Sequence, residues 1–428
     1  MDTFFEFFSF QDSSIVSVAV GVMLLTASSA VVGTFTFLRK KALVGDAVAH
    51  SVLPGICLAF ILSGTKDPVI LIIGAFITGW ISLVVIDLIT KQSKIKEDSA
   101  IALVLSVFFG IGILMLTNIQ HSGNAAQTGL DSFLFGKAAA LVGKDLITFS
   151  IVAVILILTV TLFFKELKLI SFDSNYAKVL GIPVKAIDLL LTTLTVLAVV
   201  TGIQAVGVVL MAAMLITPAA AARFWTNDVR NMTIIAAIMG SLSGLSGAYI
   251  SYAAPAMPTG PWIVMVISAI ALTSFFFAPK RGIISRYFSQ RRLQVSIMDE
   301  NLLKSLFHLG EVDSDMFKGR TMDEIIEKRY FPKNKLKSSL LRLKREGYLI
   351  KTHGAWIFTE VGKQKGQRVV KLHRLWELYL STYVKIASDH VHEDAETIEH
   401  IITPELEAEL ERMLEYPEMD PHQEIIPY

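Results

Sequence analysis

Cysteine is the scarcest residue of this sequence: Cys57 stands alone among 428. A single thiol excludes an intrachain disulfide framework and any cysteine-rich zinc site. Charge is also thin. Only 18% of residues are Asp, Glu, Lys or Arg and 53% are hydrophobic, whereas soluble domains carry about 25% charged residues. One soluble core does not explain that balance. The phosphate-cradling pattern G-x-x-x-x-G-K-[ST] is absent, so the chain is not expected to hydrolyse ATP itself. A basic leader segment is missing too. Asp2, Phe4, Phe5 and Glu6 run into an apolar stretch too long for a signal-peptide core, and no cleavable signal is expected.

What is present is unevenly spread. Residues 1–285 hold 14 of the 38 acids and 17 of the 39 bases, and seven of the nine histidines lie beyond residue 300. The first two-thirds therefore reads as a membrane domain and the rest as a soluble one. A helix needs roughly 20 apolar residues to cross the hydrocarbon core. Nine stretches qualify: 14–38, 46–63, 69–90, 99–118, 145–164, 187–203, 205–222, 233–253 and 262–278. Only Gly202 to Ala205 separates the sixth from the seventh, so one of that pair is a candidate re-entrant segment and eight crossings is the alternative. The basic clusters Arg39–Lys41, Lys91/Lys94/Lys96, Lys165/Lys168/Lys178, Arg223/Arg230 and Lys280/Arg281/Arg286 follow alternate stretches. Basic residues favour the cytoplasmic side, which places the N-terminus outside and the soluble part inside. The fold class expected is a polytopic all-α membrane protein with a cytoplasmic winged-helix and helical metal-binding domain. Its divisions are 1–285 for the membrane domain, 286–295 for a basic linker, 296–370 for the winged helix and 371–428 for the helical part. Small residues at 26–30 and 240–247 suit close helix packing or the lining of a path between subunits.

Asp46 and His50 are the informative polar pair of the membrane domain. Four residues apart on a helix, they share one face. An ionised carboxylate deep in the bilayer costs on the order of 3 kcal/mol, so such a group lines a polar cavity or has a partner. Carboxylate oxygen with imidazole nitrogen suits a divalent first-row metal; a hydrogen-bonded pair at the cytoplasmic end is the alternative. Pro218 interrupts a span, and Asp173 or Ser174 is placed to cap a short cytoplasmic helix ending near Gly181.

With these residues assembled, the first ~285 residues resemble the permease subunit of ABC importers for manganese, zinc and iron. The features that carry the resemblance are Gly45-Asp46-x-x-x-His50-x-x-x-Pro54-Gly55, Glu97 to Ala102, Leu134-Phe135-Gly136, the loop from Asp173 to Gly181, and the Pro218 and Pro258-Thr259-Gly260 segments. The resemblance implies a cytoplasmic ABC ATPase dimer, an external metal-binding lipoprotein, and a second permease copy or paralogue in the membrane lipid. It implies that Asp46 and His50 contact metal in the translocation path, and that Asp173, Ala177 and Gly181 belong to the ATPase-coupling loop.

In the soluble third, Lys333–Glu346 reads as a helix with Leu336, Leu340, Leu341 and Leu343 inward. Gly347 ends it, and two short strands flank His353-Gly354. This helix–turn–helix with a wing makes Lys335, Lys337 and Arg342 candidate DNA-phosphate contacts; a protein-interaction module is the equal alternative. Beyond 371, Glu396, Glu399 and His400 fall on one helical face. The segment 296–428 is similar to the diphtheria toxin repressor and manganese repressor family. By that resemblance His373, Glu396, Glu399 and His400 match metal ligands, and Glu377 and His392 an accessory site. Oxygen and nitrogen donors alone tilt the ion towards Mn2+, with Zn2+ or Fe2+ open. One departure stands out: the family's first helix supplies further ligands, and here Asn301 and Lys304 occupy those positions. The functional expectation is a permease moving Mn2+ inward with a metal-responsive cytoplasmic domain. A zinc or iron importer, a membrane-tethered transcription regulator and a proton-coupled transporter are the alternatives.

Overall fold

A computed structural model describes residues 2–9, 11–65, 67–121, 136, 141, 143–254, 257–384 and 403–428. It divides into two compact units, Met1–Arg286 and Tyr287–Tyr428.

Among the described residues, the first unit's regular elements are all helices. A short aromatic helix, α1 (Asp2–Phe8), sets Phe4, Phe7 and Phe8 against Tyr249. Then follow α2 (Ser13–Leu38), α3 (Val44–Ser51), α4 (Leu53–Ser63), α5 (Pro68–Gln92), α6 (Glu97–His121) and α7 (Gly143–Leu162). Two short helices, α8 (Phe164–Phe172) and α9 (Ser174–Val179), precede α10 (Val184–Val206), α11 (Val208–Arg223), α12 (Val229–Ala253) and α13 (Thr259–Phe277). Among the described residues, eight segments are long and apolar enough to cross a membrane, α3 and α4 counting together as Val44–Ser63. The chain is thus a multi-pass membrane protein.

The ninth expected stretch is the short α11, sixteen residues long. Its break from α10 falls at Gly207 (φ 94°), not at 202–205. Both of its ends meet α13. A Cβ on Gly260, in the first turn of α13, would lie 2.5 Å from the Val206 carbonyl and 3.4 Å from Leu210. Just beyond the other end, the Trp225 indole N–H donates to Ser274 Oγ at 2.9 Å. The chain from Gly207 to Trp225 therefore traverses the same depth as α13 between residues 260 and 274. Counting it, the described residues hold nine passes, in agreement with a cytoplasmic second unit.

Small residues close the bundle. A Cβ on Gly240 would sit 2.7 Å from the Thr26 carbonyl, and one on Gly244 would sit 2.6 Å from Thr26 Oγ1. The two small-residue stretches thus pack on each other, which is the tight-bundle reading. At Gly33 the requirement is stricter. The Leu215 carbonyl oxygen lies 1.7 Å from where a Cβ would be, so α11 reaches α2 only because no side chain is there.

The second unit takes up most of α14 (Ile283–Asp313), so residues 286–295 are helical. It continues with α15 (Met322–Lys328), α16 (Lys333–Arg345), the hairpin β1 (Leu349–Thr352) and β2 (Ala355–Phe358), α17 (Glu360–Tyr379) and α18 (Pro404–Met413). Leu349 pairs with Phe358 and Thr352 with Ala355. The turn residues His353 (φ 49°) and Gly354 (φ 86°) take the left-handed backbone that a two-residue hairpin of matching twist requires. Leu302, Leu306, Phe307, Ile325, Leu336, Leu340, Leu343, Trp356 and Val370 form the core. Leu341, expected inward on α16, faces solvent, and Ser339 takes the buried position. The winged helix expected from sequence is present.

Candidate functional site

Asp46 and His50 lie on α3 as their spacing demands, with His50 Nε2 3.5 Å from Asp46 Oδ1. Their depth follows from packing. A Cβ on Gly79, halfway along α5, would meet Val48, Val52 and Val196 at 3.1–3.2 Å, and Val196 is halfway along α10. The pair is therefore held near the middle of the bundle. Aliphatic side chains fix the inner face of α3, and a Cβ on Gly45 would meet Leu215 at 2.9 Å. His50 stands edge-on to Phe109 of α6, with ring centroids 5.1 Å apart. Its Nδ1 is buried and has no hydrogen-bond partner among the described residues. Four residues on, Pro54 has no N–H to give to the His50 carbonyl, and α3 gives way to α4 at Val52. Carboxylate, imidazole and a carbonyl without its helical donor thus cluster within one turn. Unlike a structural ion pair, this group has hydrogen-bonding capacity in reserve.

A cavity of about 410 Å³ lies between α2, α3, α5 and α10, reaching Thr36, Val44 and Thr195 and lined also by Arg39, Lys185 and Asp188. Arg39 and Asp188 form an ion pair within it, and Thr36 and Thr195 share a hydrogen bond of 3.3 Å.

The expected coupling loop is built as the sequence suggests. Asp173 Oδ1 accepts from the backbone N–H groups of Asn175 (3.0 Å) and Tyr176 (2.8 Å), capping α9. Ala177 is fully buried, and Gly181 (φ 78°) follows the helix. Tyr176, Val179 and Leu180 project outward, Val179 being 83% exposed.

In the cytoplasmic unit, His373 Nε2 lies 3.0 Å from Glu377 on α17 with both side chains buried. Their proposed companions His392, Glu396, Glu399 and His400 lie outside the described residues. Around the pair is a cavity of about 440 Å³, lined also by Lys304, His308, Arg374, Asp420 and Glu424. Asn301 accepts from Arg329 at 3.3 Å, and Lys304, 4% exposed, lines the cavity. The donors suit a divalent ion in kind but not in charge, because Lys304, Lys328, Arg329 and Arg374 line the cavity beside the carboxylates Glu377, Asp420 and Glu424. The described part of the cavity alone does not fit a divalent cation.

One cluster was not foreseen. His308, Glu311 and Glu424 each bring a donor atom within 4.8 Å of the others. While His308 Nδ1 lies 3.0 Å from Glu311 Oε2, the cation the two carboxylates hold is Arg374. Its guanidinium donates to both Glu311 oxygens at 2.9 Å, to Glu424 at 2.5 Å and to the Ile425 carbonyl at 2.6 Å. Burial pushes the Glu311 carboxyl up, but hydrogen bonds from His308 and Arg374 outweigh it and hold it below the ordinary range. No local sequence signal marked Arg374, which stands between His373 and Leu375 in a stretch that also holds Lys371. Of the candidate DNA contacts, Lys335 and Lys337 are exposed. Arg342 is committed to Asp299 at 2.8 and 3.0 Å.

Comparison with known proteins agrees with this architecture. Residues 11–278 match the ABC 3 transport family. Residues 359–428 match the iron dependent repressor, metal binding and dimerisation domain. The manganese transport system membrane protein MntC of Bacillus subtilis is 42% identical across 87% of this chain and 85% of its own length. The zinc transport system membrane protein TroC of Treponema pallidum is 43% identical across 68% of this chain and 97% of its own. Among solved structures, PsaBC from Streptococcus pneumoniae in complex with Fab superposes with a TM-score of 0.59 at 33% identity, covering 67% of this chain and 99% of that one. The chain belongs to the ABC 3 transport family, as a metal-transport permease that carries a repressor-like domain on its cytoplasmic side.

Proposed function

We propose that the chain is the permease of an importer that moves Mn2+ into the cytoplasm, with Asp46 and His50 as the groups that handle the ion in transit. The observation that carries this reading is a carboxylate and an imidazole at mid-depth in the bundle, with hydrogen-bonding capacity to spare. Asp46 supplies negative charge against the desolvation a divalent ion suffers there, and His50 supplies a borderline nitrogen. Oxygen and nitrogen donors without sulfur suit Mn2+, and the name of the Bacillus relative agrees. Zinc is the second cargo in line, given the Treponema relative.

Energy comes from a separate ATPase dimer, and an external metal-binding lipoprotein delivers the ion. The exposed Tyr176, Val179 and Leu180 of α9 are the apolar surface on which the ATPase acts, and a second permease copy or paralogue completes the transporter. An ion shifts the open and closed states of such a machine only through unequal affinity for them. The test is accumulation of Mn, Zn and Fe measured by ICP-MS in cells that co-express the ATPase and binding protein. Manganese uptake is expected to fall at least about ten-fold in Asp46→Ala and in His50→Ala. Uptake of all three metals unchanged by both substitutions overturns the assignment.

For the cytoplasmic domain we propose feedback control of transport. A metal-responsive form of that control rests on Glu396, Glu399 and His400 acting with His373, since the described cavity alone does not suffice. ATP hydrolysis and uptake at low and high internal manganese are expected to differ less in Glu399→Ala/His400→Ala than in the unaltered chain. An identical response in both rejects metal sensing at these residues.

A further inference from the structure

α14 begins six residues after α13 ends, and its first turns differ from the rest of the cytoplasmic surface. Lys280, Arg281, Arg286, Arg291 and Arg292 bring five positive charges, while no Asp or Glu occurs between Asp228 and Asp299. All five are at least partly exposed, and none has an ion-pair partner among the described residues. Apolar side chains are interleaved with them. Ile283, Ile284, Tyr287 and Phe288 are 44%, 38%, 59% and 54% exposed, and their spacing puts them on one helical face. The rings of Tyr287 and Phe288 pack edge to face, 5.9 Å apart. Arg291 continues this face, and Arg286 and Arg292 flank it.

Position supplies the rest. The Gly282 N–H donates to the Ala278 carbonyl at 3.0 Å, and the Arg286 N–H to the Gly282 carbonyl at 2.9 Å. The connection is thereby folded tight, and α14 starts within a turn or so of the last membrane helix. The headgroup zone is roughly 5–7 Å deep on each side of the hydrocarbon. An anionic leaflet attracts nearby Lys and Arg by about 1 kcal/mol each, fading within a Debye length of about 8 Å. Aromatic and aliphatic side chains flanked by arginine are what an interfacial helix presents, the arginine stems lying along the apolar layer with their heads among phosphates. Orientation of the chain in the membrane needs only the charges; it leaves the uncovered aromatic face without a role.

We propose that residues 280–295 bind anionic phospholipid headgroups of the cytoplasmic leaflet. The full chain carries its own convenience for a test, since its one cysteine, Cys57, is fully buried. A fluorophore on Ile284→Cys reports the apolar face, and one on Ser289→Cys reports the far side. The protein is placed in nanodiscs of phosphatidylcholine with phosphatidylglycerol, one or the other lipid bearing a headgroup quencher. Labelled phosphatidylglycerol is expected to quench the Ile284→Cys reporter several-fold more than labelled phosphatidylcholine, and more than it quenches the Ser289→Cys reporter. That preference is expected to shrink with each arginine changed to glutamine among Arg286, Arg291 and Arg292 and to vanish in the triple substitution, and in the unaltered chain it falls with added salt. Equal quenching by both lipids, equal quenching of both reporters, or a preference that survives the triple substitution overturns the proposal.

Discussion

The charged side chains singled out in the two units are paired to different degrees. In the cytoplasmic unit a buried charge is surrounded: Arg374 serves Glu311, Glu424 and a carbonyl, and Lys371 lies 2.7 Å from both Glu407 and Glu411. In the membrane unit Asp46 and His50 have only a 3.5 Å approach to each other, and one imidazole nitrogen has no hydrogen bond among the described residues. Saturation marks a group that holds a fold together. A deficit leaves room for a ligand but does not by itself prove one, since Arg374 Nε and the indole N–H groups of Trp356 and Trp376 are also buried without a hydrogen bond among the described residues, each such atom costing about 1–3 kcal/mol.

The largest effect expected from this contrast is functional. Asp46→Ala and His50→Ala should remove transport while leaving the melting temperature of the purified permease within a few degrees, because neither residue supports packing by a full set of bonds. A collapse of folding in both would make the pair structural. Next in size is Arg374→Ala. It strands Glu311 and Asp420 without their cation, and thermal or denaturant unfolding of the full chain should show about 3 kcal/mol lost from the cytoplasmic unit. A loss below about 0.5 kcal/mol would break the contrast from the other side.

Smaller is the acid response of the contact between α17 and α18. Burial raises the Glu407 carboxyl, but hydrogen bonds from Lys371 and Arg368 hold it below the ordinary range. The stability it contributes is present above the usual glutamate value of about 4.3 and drains away as pH falls through the lower folded value. Glu407→Gln should remove that acid limb of the cytoplasmic unit's stability curve, at a cost of about 1 kcal/mol at neutral pH. The smallest effect belongs to Lys335→Ala/Lys337→Ala. These exposed side chains should change stability by less than about 0.5 kcal/mol. If the winged helix contacts DNA, the same change would lower its salt-sensitive affinity.

Run length and charge placement made the membrane bundle readable in advance, since a span is a local property of some twenty residues. The winged helix was readable for the same reason: Gly347 and the His353-Gly354 turn punctuate it. Leu341 misled because a leucine beside a leucine fits either side of a helix stripe, and only packing decides. The break at Gly207 was misplaced by a few residues because Gly202 reads equally well as a stop; a Cβ at Gly202 would instead strike Met211, 2.2 Å away. Asp46 and His50 were legible through a spacing of four. The Arg374 network was not, because Glu311 and Glu424 lie 63 and 50 residues from it along the chain, and nothing local announces such a pairing.

Sixteen residues of α11 also settle an address. Had the chain from Gly207 onward returned along the face it came from, every later segment would be inverted and the repressor-like domain would sit outdoors, away from the ATPase and the metal pool of the cell. With the N-terminus outside, as the basic clusters place it, an appended domain ends in the cytoplasm only if the count of passes before it is odd. Deleting α11 while keeping its neighbours should therefore do more than perforate the bundle: it should turn the cytoplasmic repressor-like domain into an extracellular passenger.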